Sequence, residues 1–219
     1  MIRTAHFIWL GSEPPADYLE NISEFSRLNP DWAIAFWTSA DRILEVIPKP
    51  LHRLWGDATD IVPEDSVWQF RADIARLAIL YAHGGMYADV DHQWFKPIDP
   101  LLEGTRAHEV LTVWEREGHH VANGWIYAPS SHHRLFKSLL AEIPHIAKQR
   151  RGQRANRITG PSGQWTSHAR RNPNVRILPA KYLIPWRWDQ LDRAGGPEDY
   201  PEAYGAATWN HQQEIRGLR

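Results

Sequence analysis

Residues 89 to 91 read Asp-Val-Asp, two carboxylates separated by one residue. Set at the end of a strand, just after the sharp turn that Gly84-Gly85 implies, they concentrate negative charge in a small volume, and such a site needs a cation. Oxygen ligands of this kind suit Mg²⁺ or Mn²⁺, ions that keep coordination positions open for phosphate oxygens, so a diphosphate is the natural companion. Taken alone, Asp-X-Asp recurs by chance in many chains, most often as a solvated turn. Upstream, Asp73 and Arg76 stand three residues apart on a predicted helix, where i and i+3 side chains meet. Two readings of that pair stand side by side. It is either a surface ion pair contributing ~0–1 kcal/mol, or a carboxylate for a sugar hydroxyl beside a guanidinium fork for a phosphate or sugar oxygen. Spacing alone does not choose between them.

The elements that must position these residues follow from periodicity. Thr4 to Leu10 is short, β-rich and closed by Gly11-Ser12 and Pro14-Pro15, which predicts a first strand of central placement. A helix over Asp17 to Leu28, the Asn29-Pro30-Asp31 turn and a strand from Trp32 to Trp37 complete a strand–helix–strand unit. Thr38 to Asp41 could cap a further short helix, whereas Pro48 to Pro63 is too interrupted to assign. The clearest helix runs from Asp65 to His83, with Val67, Phe70, Ile74, Leu77, Ala78 and Tyr81 on one face. Glu64, Asp65 and Ser66 offer an acidic, capping start, and Gly84-Gly85 the stop. Alternation over Met86 to Val90 then predicts a strand with Tyr87, Asp89 and Asp91 on one face, so that the two carboxylates point the same way. Further strands are expected at Val110 to Trp114 and Gly124 to Tyr127, and a helix from His132 to Gln149. The class is α/β, a mixed or mainly parallel sheet flanked by helices, with ligands at the carboxyl ends of its strands.

Composition narrows the chemistry. The 219 residues suit one domain, and 42% hydrophobic with 23% charged residues is the balance of an ordinary folded protein. A net charge of −1 supplies no global field toward nucleic acid or anionic membrane. The absence of cysteine excludes disulfides, thiolate nucleophiles and cysteine-bound zinc. No stretch is apolar enough for a signal peptide or a membrane span, which makes a soluble, cytoplasmic protein the expectation. Twelve tryptophans are unusual, and indoles stack on nucleobases and sugar faces as readily as they fill cores. The stretch Lys148, Arg150, Arg151, Arg154 and Arg157 could place three arginines on one helix face. It is read as a solvated face or, otherwise, as a site for a phosphorylated glycan, lipid headgroup or nucleic acid.

The run Phe70-Arg71-Ala72-Asp73-Ile74-Ala75-Arg76 through Leu80-Tyr81-Ala82-His83-Gly84-Gly85-Met86-Tyr87-Ala88-Asp89-Val90-Asp91 resembles the signature of the DXD-containing glycosyltransferases. That family includes fungal initiating mannosyltransferases and bacterial capsular sugar transferases and, more distantly, the glucosylating domains of large clostridial toxins. His6-Phe7-Ile8-Trp9-Leu10-Gly11 and Asn29-Pro30-Asp31-Trp32 followed by Trp37 resemble the same group in the same order. The resemblance implies a GT-A-type single domain with a Rossmann-like mixed sheet. Residues 1–100 would form the half that binds nucleotide-sugar and metal, and 101–219 the half for sugar and acceptor. It implies a Mn²⁺ or Mg²⁺ cofactor and retention of anomeric configuration. Trp9 is expected to stack on the donor base, Asp73 and Arg76 to bind the donor sugar, Tyr87 to join the donor site, Asp89 to contact ribose and metal, and Asp91 to ligate the metal.

In the second half, Asn123 in Ala122-Asn123-Gly124-Trp125 matches the family's asparagine at the sugar pocket, although a purely structural asparagine is nearly as good a reading. Thr159-Gly160-Pro161-Ser162 matches a family turn and is assigned no chemistry. The third metal ligand is expected at His211, with Asn210 as the substitute; the chain departs from the family in having no tryptophan after them. The remaining histidines, including His119, His120, His132 and His133, are expected on the surface. Retention without an evident carboxylate nucleophile favours front-face attack, in which the leaving phosphate helps deprotonate the acceptor. UDP-glucose is the first donor to consider, then UDP-galactose and GDP-mannose; the acceptor is expected to be a glycan or another hydroxyl compound, with nucleic acid a remote option. Two other functions fit fewer residues. A Mg²⁺-dependent phosphohydrolase or nuclease would use the same aspartates but leaves Trp9 and the Asp73/Arg76 pair without a task, and a non-catalytic sugar-binding module would rest on the tryptophans alone.

Overall fold

A computed structural model describes residues 1–209; Asn210 and His211, the expected third ligand and its substitute, lie outside the described residues. Strand β1 (Thr4–Ile8), helix α1 (Ala16–Leu28) and strand β2 (Ala33–Trp37) form the expected unit, with β1 and β2 paired in parallel. Ser39 caps α2 (Ala40–Val46) by accepting from the Arg42 backbone, as its sequence suggested. The stretch left unassigned holds α3 (Lys49–Gly56), with Pro50 in its first turn, where a missing N–H costs nothing.

Helix α4 (Val67–His83) is the spine of the molecule, and most of it is buried. Its start differs from expectation. A single 3₁₀ turn covers Glu64–Ser66, and the Ser66 side chain makes no capping bond to α4 but accepts from Ala155 N at 3.4 Å. Gly84, at φ +65°, stops the helix. Gly85 follows at φ +84°, with Thr4 O where a Cβ would stand, so β3 can lie tight against β1 only with glycine there.

Strand β3 (Gly85–Ala88) is shorter than expected and ends one residue before Asp89. Val90 and Asp91 form a turn into β4 (His92–Trp94), so strand alternation orients Tyr87 and Asp89 but does not extend to Asp91. A short helix α5 (Asp99–Leu102) leads to β5 (Val110–Arg116) and β6 (His120–Ala128), a hairpin longer than the two separate strands expected. Helix α6 (Arg134–Gln149), α7 (Ala155–Ile158), α8 (Gln164–Arg171), β7 (Val175–Leu178) and β8 (Gly205–Ala207) follow.

The main sheet has the order β2-β1-β3-β6-β5-β7, and β4 pairs with β8 in a small second sheet. Only β6 runs against its neighbours. The carboxyl ends of β1, β3 and β5 therefore meet the amino end of β6 at one edge, where parallel α/β sheets present ligands. One face of the sheet packs against α2, α3, α4, α6, α7 and α8 through Ile43, Phe70, Ile74, Leu139 and Trp165. The other packs Phe7, Met86 and Trp125 against Phe25, Trp32 and Trp94. Six of the twelve tryptophans (32, 55, 94, 125, 165 and 186) are buried, so core filling accounts for half of that unusual number. No helix among the described residues is long and apolar enough to cross a membrane.

Two surface expectations change. Helix α6 ends at Gln149, so Arg150, Arg154 and Arg157 do not share a helix face. Arg154 instead pairs with Asp65 at 2.6 Å and Arg151 donates to Asp60 O, which ties this segment to the approach to α4. His133 is buried rather than exposed. Its Nδ1 accepts from Leu135 N and caps α6, while Nε2 meets His108 O.

Candidate active site

The α4 pair is no surface ion pair. Asp73 and Arg76 are 1% and 5% exposed, and their 3.0 Å contact is shielded from water. Arg76 reaches across to β3 and β6. One Nη bonds the Asp89 carboxylate at 3.1 Å and the Asn123 carbonyl at 2.7 Å, and the guanidinium lies 4.6 Å over the Tyr87 ring. Tyr87 donates its hydroxyl to the same Asp89 oxygen, Oδ1, at 2.6 Å. Asn123 donates to one oxygen of Asp73 at 2.8 Å, and Thr159 to the other at 2.6 Å. Three elements and the turn after α7 thus converge in one polar network.

Such a network stands inside a protein only if its buried members are satisfied. Burial raises the Asp73 pKa above the ordinary carboxylate value; the Arg76 charge and the Thr159 hydroxyl oppose it, as does Asn123. Burial also works against the Arg76 charge, but Tyr87, Asp89 and Asp73 together outweigh it, and Arg76 titrates above its ordinary range. Burial holds the Tyr87 phenol well above its usual pKa, so it stays a neutral donor.

Backbone bonds fix the segment that carries the aspartates. Asp89 N donates to Gly124 O at 2.8 Å, His92 N to Asp89 O at 3.1 Å, and Thr208 N to Asp91 O at 3.0 Å. Asn21 of α1 donates its side-chain amide to the Val90 carbonyl at 3.0 Å. Asp89 Oδ2 lies over Gly124, 2.5 Å from where a Cβ would stand. The carboxylate is 41% exposed, so it is anchored on one oxygen and accessible to solvent. His92, next to Asp91, is buried beside Trp94, and burial lowers its pKa to about 4 against a small opposing effect of Asp89.

The structure thus joins Asp73, Arg76, Tyr87, Asp89 and Asn123 directly. Trp9 stands just past β1 at the same edge of the sheet, half-buried, its indole donating to Ser12 O at 3.0 Å and meeting Tyr18 edge-on at 5.2 Å. Asp91 sits in the turn beyond Asp89. Among the described residues, no group of three histidine or acidic side chains is placed to hold a metal ion. Two contributors went unread in the sequence. Thr159 sits in a segment whose Thr-Gly-Pro pattern was visible but reads as turn geometry, and Asn21 carried no local signal.

Residues 15–108 match the family described as the glycosyltransferase sugar-binding region containing DXD motif. Inositol phosphoceramide mannosyltransferase 1 of Schizosaccharomyces pombe is 28% identical over 140 residues, 63% of this chain; the chain spans 41% of that relative's length. Among solved structures, the galactosyltransferase LgtC in complex with donor and acceptor sugar analogs superposes with a TM-score of 0.54 at 13% identity, over 98% of this chain and 95% of its own. A glycosyltransferase involved in the glycosylation of the major capsid of PBCV-1 gives 0.53 at 11% identity, over 98% and 99%. Residues 15–108 are thus similar to the sugar-binding region of the DXD-containing glycosyltransferases, and the fold is of the GT-A type.

Proposed function

We propose that the chain, as one catalytic domain, is a metal-dependent, retaining glycosyltransferase that moves a hexose from a nucleotide-sugar, a UDP-sugar first among the candidates, to a hydroxyl acceptor such as a glycan. The observation that carries this reading is the buried network joining Asp73, Arg76 and Asn123 to Asp89, within reach of the strand ends where ligands of this fold class bind. A structural ion pair alone does not require a carboxylate fixed on one oxygen and accessible to solvent. The GDP-mannose option draws support from the mannosyltransferase relative.

Each residue has a task in this reading. Asn123 presents its amide to the hydroxyls of the donor sugar, the buried Asp73 carboxylate holds that amide in place, and Arg76 ties Asp73 to Asp89. Tyr87 keeps Asp89 in its rotamer, and Trp9 offers an aromatic face to the base. The oxygen-rich pair Asp89 and Asp91 fits a hard divalent cation, with His211 as the proposed further ligand. When bound, Mn²⁺ or Mg²⁺ offsets the charge that develops on the departing diphosphate. Transfer breaks the bond from the anomeric carbon to the phosphate oxygen, which keeps the electron pair. The acceptor oxygen forms the new bond on the same face, and its proton passes to the phosphate. A trapped glycosyl-enzyme adduct would overturn that step.

The test is hydrolysis of a panel of UDP- and GDP-sugars with Mn²⁺, with Mg²⁺ and with EDTA, beside Asp91→Asn. Slow release of one nucleotide, abolished by EDTA and by the substitution, is the expected result. No hydrolysis together with no calorimetric binding of any donor in Mn²⁺ would sink the reading.

A further inference from the structure

A second polar site lies apart from the Asp73 network. The β5–β6 turn and the outer side of α8 enclose a groove of about 640 Å³, within the range of small-ligand pockets. Its walls carry His119 and His120 on the hairpin, Ser162 in the loop before α8, and Thr166, Arg170 and Arg171 on the helix; no carboxylate lines it. Some arginines find acidic partners, Arg154 with Asp65 and Arg187 with Asp189, and others, such as Arg42 and Arg134, are in none of the ion pairs among the described residues. Among the described residues, no ion pair engages Arg170 or Arg171. Arg170 is instead oriented over the face of Trp114, 5.8 Å from its centre. Two guanidiniums, two imidazoles and the hydroxyls of Ser162, Thr166 and Ser167 around one cavity form a donor-rich site, and forked N–H groups match the paired oxygens of phosphate or carboxylate anions. With a net charge of −1 the protein has no global pull on anions, so any attraction is local to this groove.

Its position gives it a task. The hairpin turn lies at the ligand edge of the sheet, and both walls continue directly into the Asp73 network. Thr159 precedes the groove residue Pro161 by two positions, and Asn123 follows Val121, whose backbone N–H donates to Thr166 Oγ1 at 3.0 Å. Arg170 and Arg171 stand at the far end of α8, in its last turn, so the groove runs away from the network along that helix.

We propose that this groove binds a phosphate ester carried by the acceptor, so that the substrate is a phosphorylated sugar or glycan whose free hydroxyl reaches the donor sugar. The proposal rests on the transferase reading and names its acceptor class. Neither guanidinium takes part in the donor network, so acceptor charge and donor recognition are separable.

The test titrates glucose 6-phosphate and glucose by calorimetry at low ionic strength into the whole chain and into the Arg170→Gln/Arg171→Gln variant, with UDP and GDP binding in Mn²⁺ measured on the same wild-type sample. The thermal midpoint of the variant checks its fold. The phosphate ester is expected to bind at least tenfold more tightly than the neutral sugar. That preference should fall at least tenfold in the variant and on raising salt. Equal binding of the two sugars while a nucleotide still binds would overturn the groove and leave the transferase reading intact. A preference that survives in the variant places the phosphate elsewhere and also overturns it. Absence of nucleotide binding would overturn the transferase reading and, with it, the acceptor role of the groove.

Discussion

Thr159 and Asp73 stand 86 residues apart in the chain and meet at 2.6 Å, hydroxyl to carboxylate, inside the protein. The carboxylate is thereby bonded on both oxygens, by Thr159 on one and by Asn123 and Arg76 on the other.

Removing the hydroxyl while keeping the shape should expose that dependence. Thr159→Val leaves one Asp73 oxygen buried without its donor, at a cost of ~1–3 kcal/mol. Urea unfolding should show the midpoint falling, with Thr159→Ser close to wild type. Equal midpoints for Val and wild type would mean that the contact contributes nothing.

Arg76→Lys keeps the charge but cannot keep the geometry. One ammonium cannot reach Asp73, Asp89 and the Asn123 carbonyl together, and a broken buried pair costs ~3 kcal/mol. In a domain of this size the thermal midpoint should fall by about 10 °C. A shift below about 2 °C would show that the lysine satisfies the network.

Gly124→Ala probes Asp89 without touching it chemically. The new methyl would stand 2.5 Å from Oδ2, so the carboxylate must turn away. Mn²⁺ affinity should drop about tenfold or more, as expected for an outer residue that orients a ligand, while the thermal midpoint changes little. Unchanged affinity would remove Oδ2 from the proposed metal site.

His6 makes stability depend on pH. It is buried, accepts from Trp37 Nε1 on Nδ1 and meets Gly84 O through Nε2; burial lowers its pKa to about 4, with the Gly84 bond opposing and His83 adding slightly. Its unfolded value is about 6.5. Between these values the unfolded chain holds the extra proton. The contribution is therefore complete above about pH 6.5 and is lost as pH falls toward 4, by up to ~1.4 kcal/mol per pH unit. Chemical denaturation from pH 7 to 4.5 should give a shallower slope in His6→Gln. Parallel slopes would show that His6 does not titrate in this window.

Local patterns made much of the framework readable. The strand–helix–strand start, α4 and its glycine stop all follow from apolar spacing and turn residues. Asp73, Arg76 and Asp89 stood out because their spacing and flanking residues form one continuous signature. What escaped depends on contacts distant in sequence. Glu115 and Arg116 extend β5 past its apolar run, and register shifts on either side of Trp114 break the alternation that would have disclosed the hairpin. The arginines after Gln149 read as one helix face because nothing in their own composition shows that Asp65 and Asp60 wait across the fold. The burial of the Asp73/Arg76 pair was equally invisible, since it is β6 and the turn after α7 that cover it.

Asp89 carries a further consequence. A free aspartate that captures a cation must surrender its rotational freedom at that moment, and the loss weakens binding. Here Tyr87 and Arg76 have already immobilised the side chain through Oδ1, so that entropy is lost on folding instead. If the proposed cation binds at Asp89, the hydroxyl of Tyr87 sets part of the affinity of a site it does not enter.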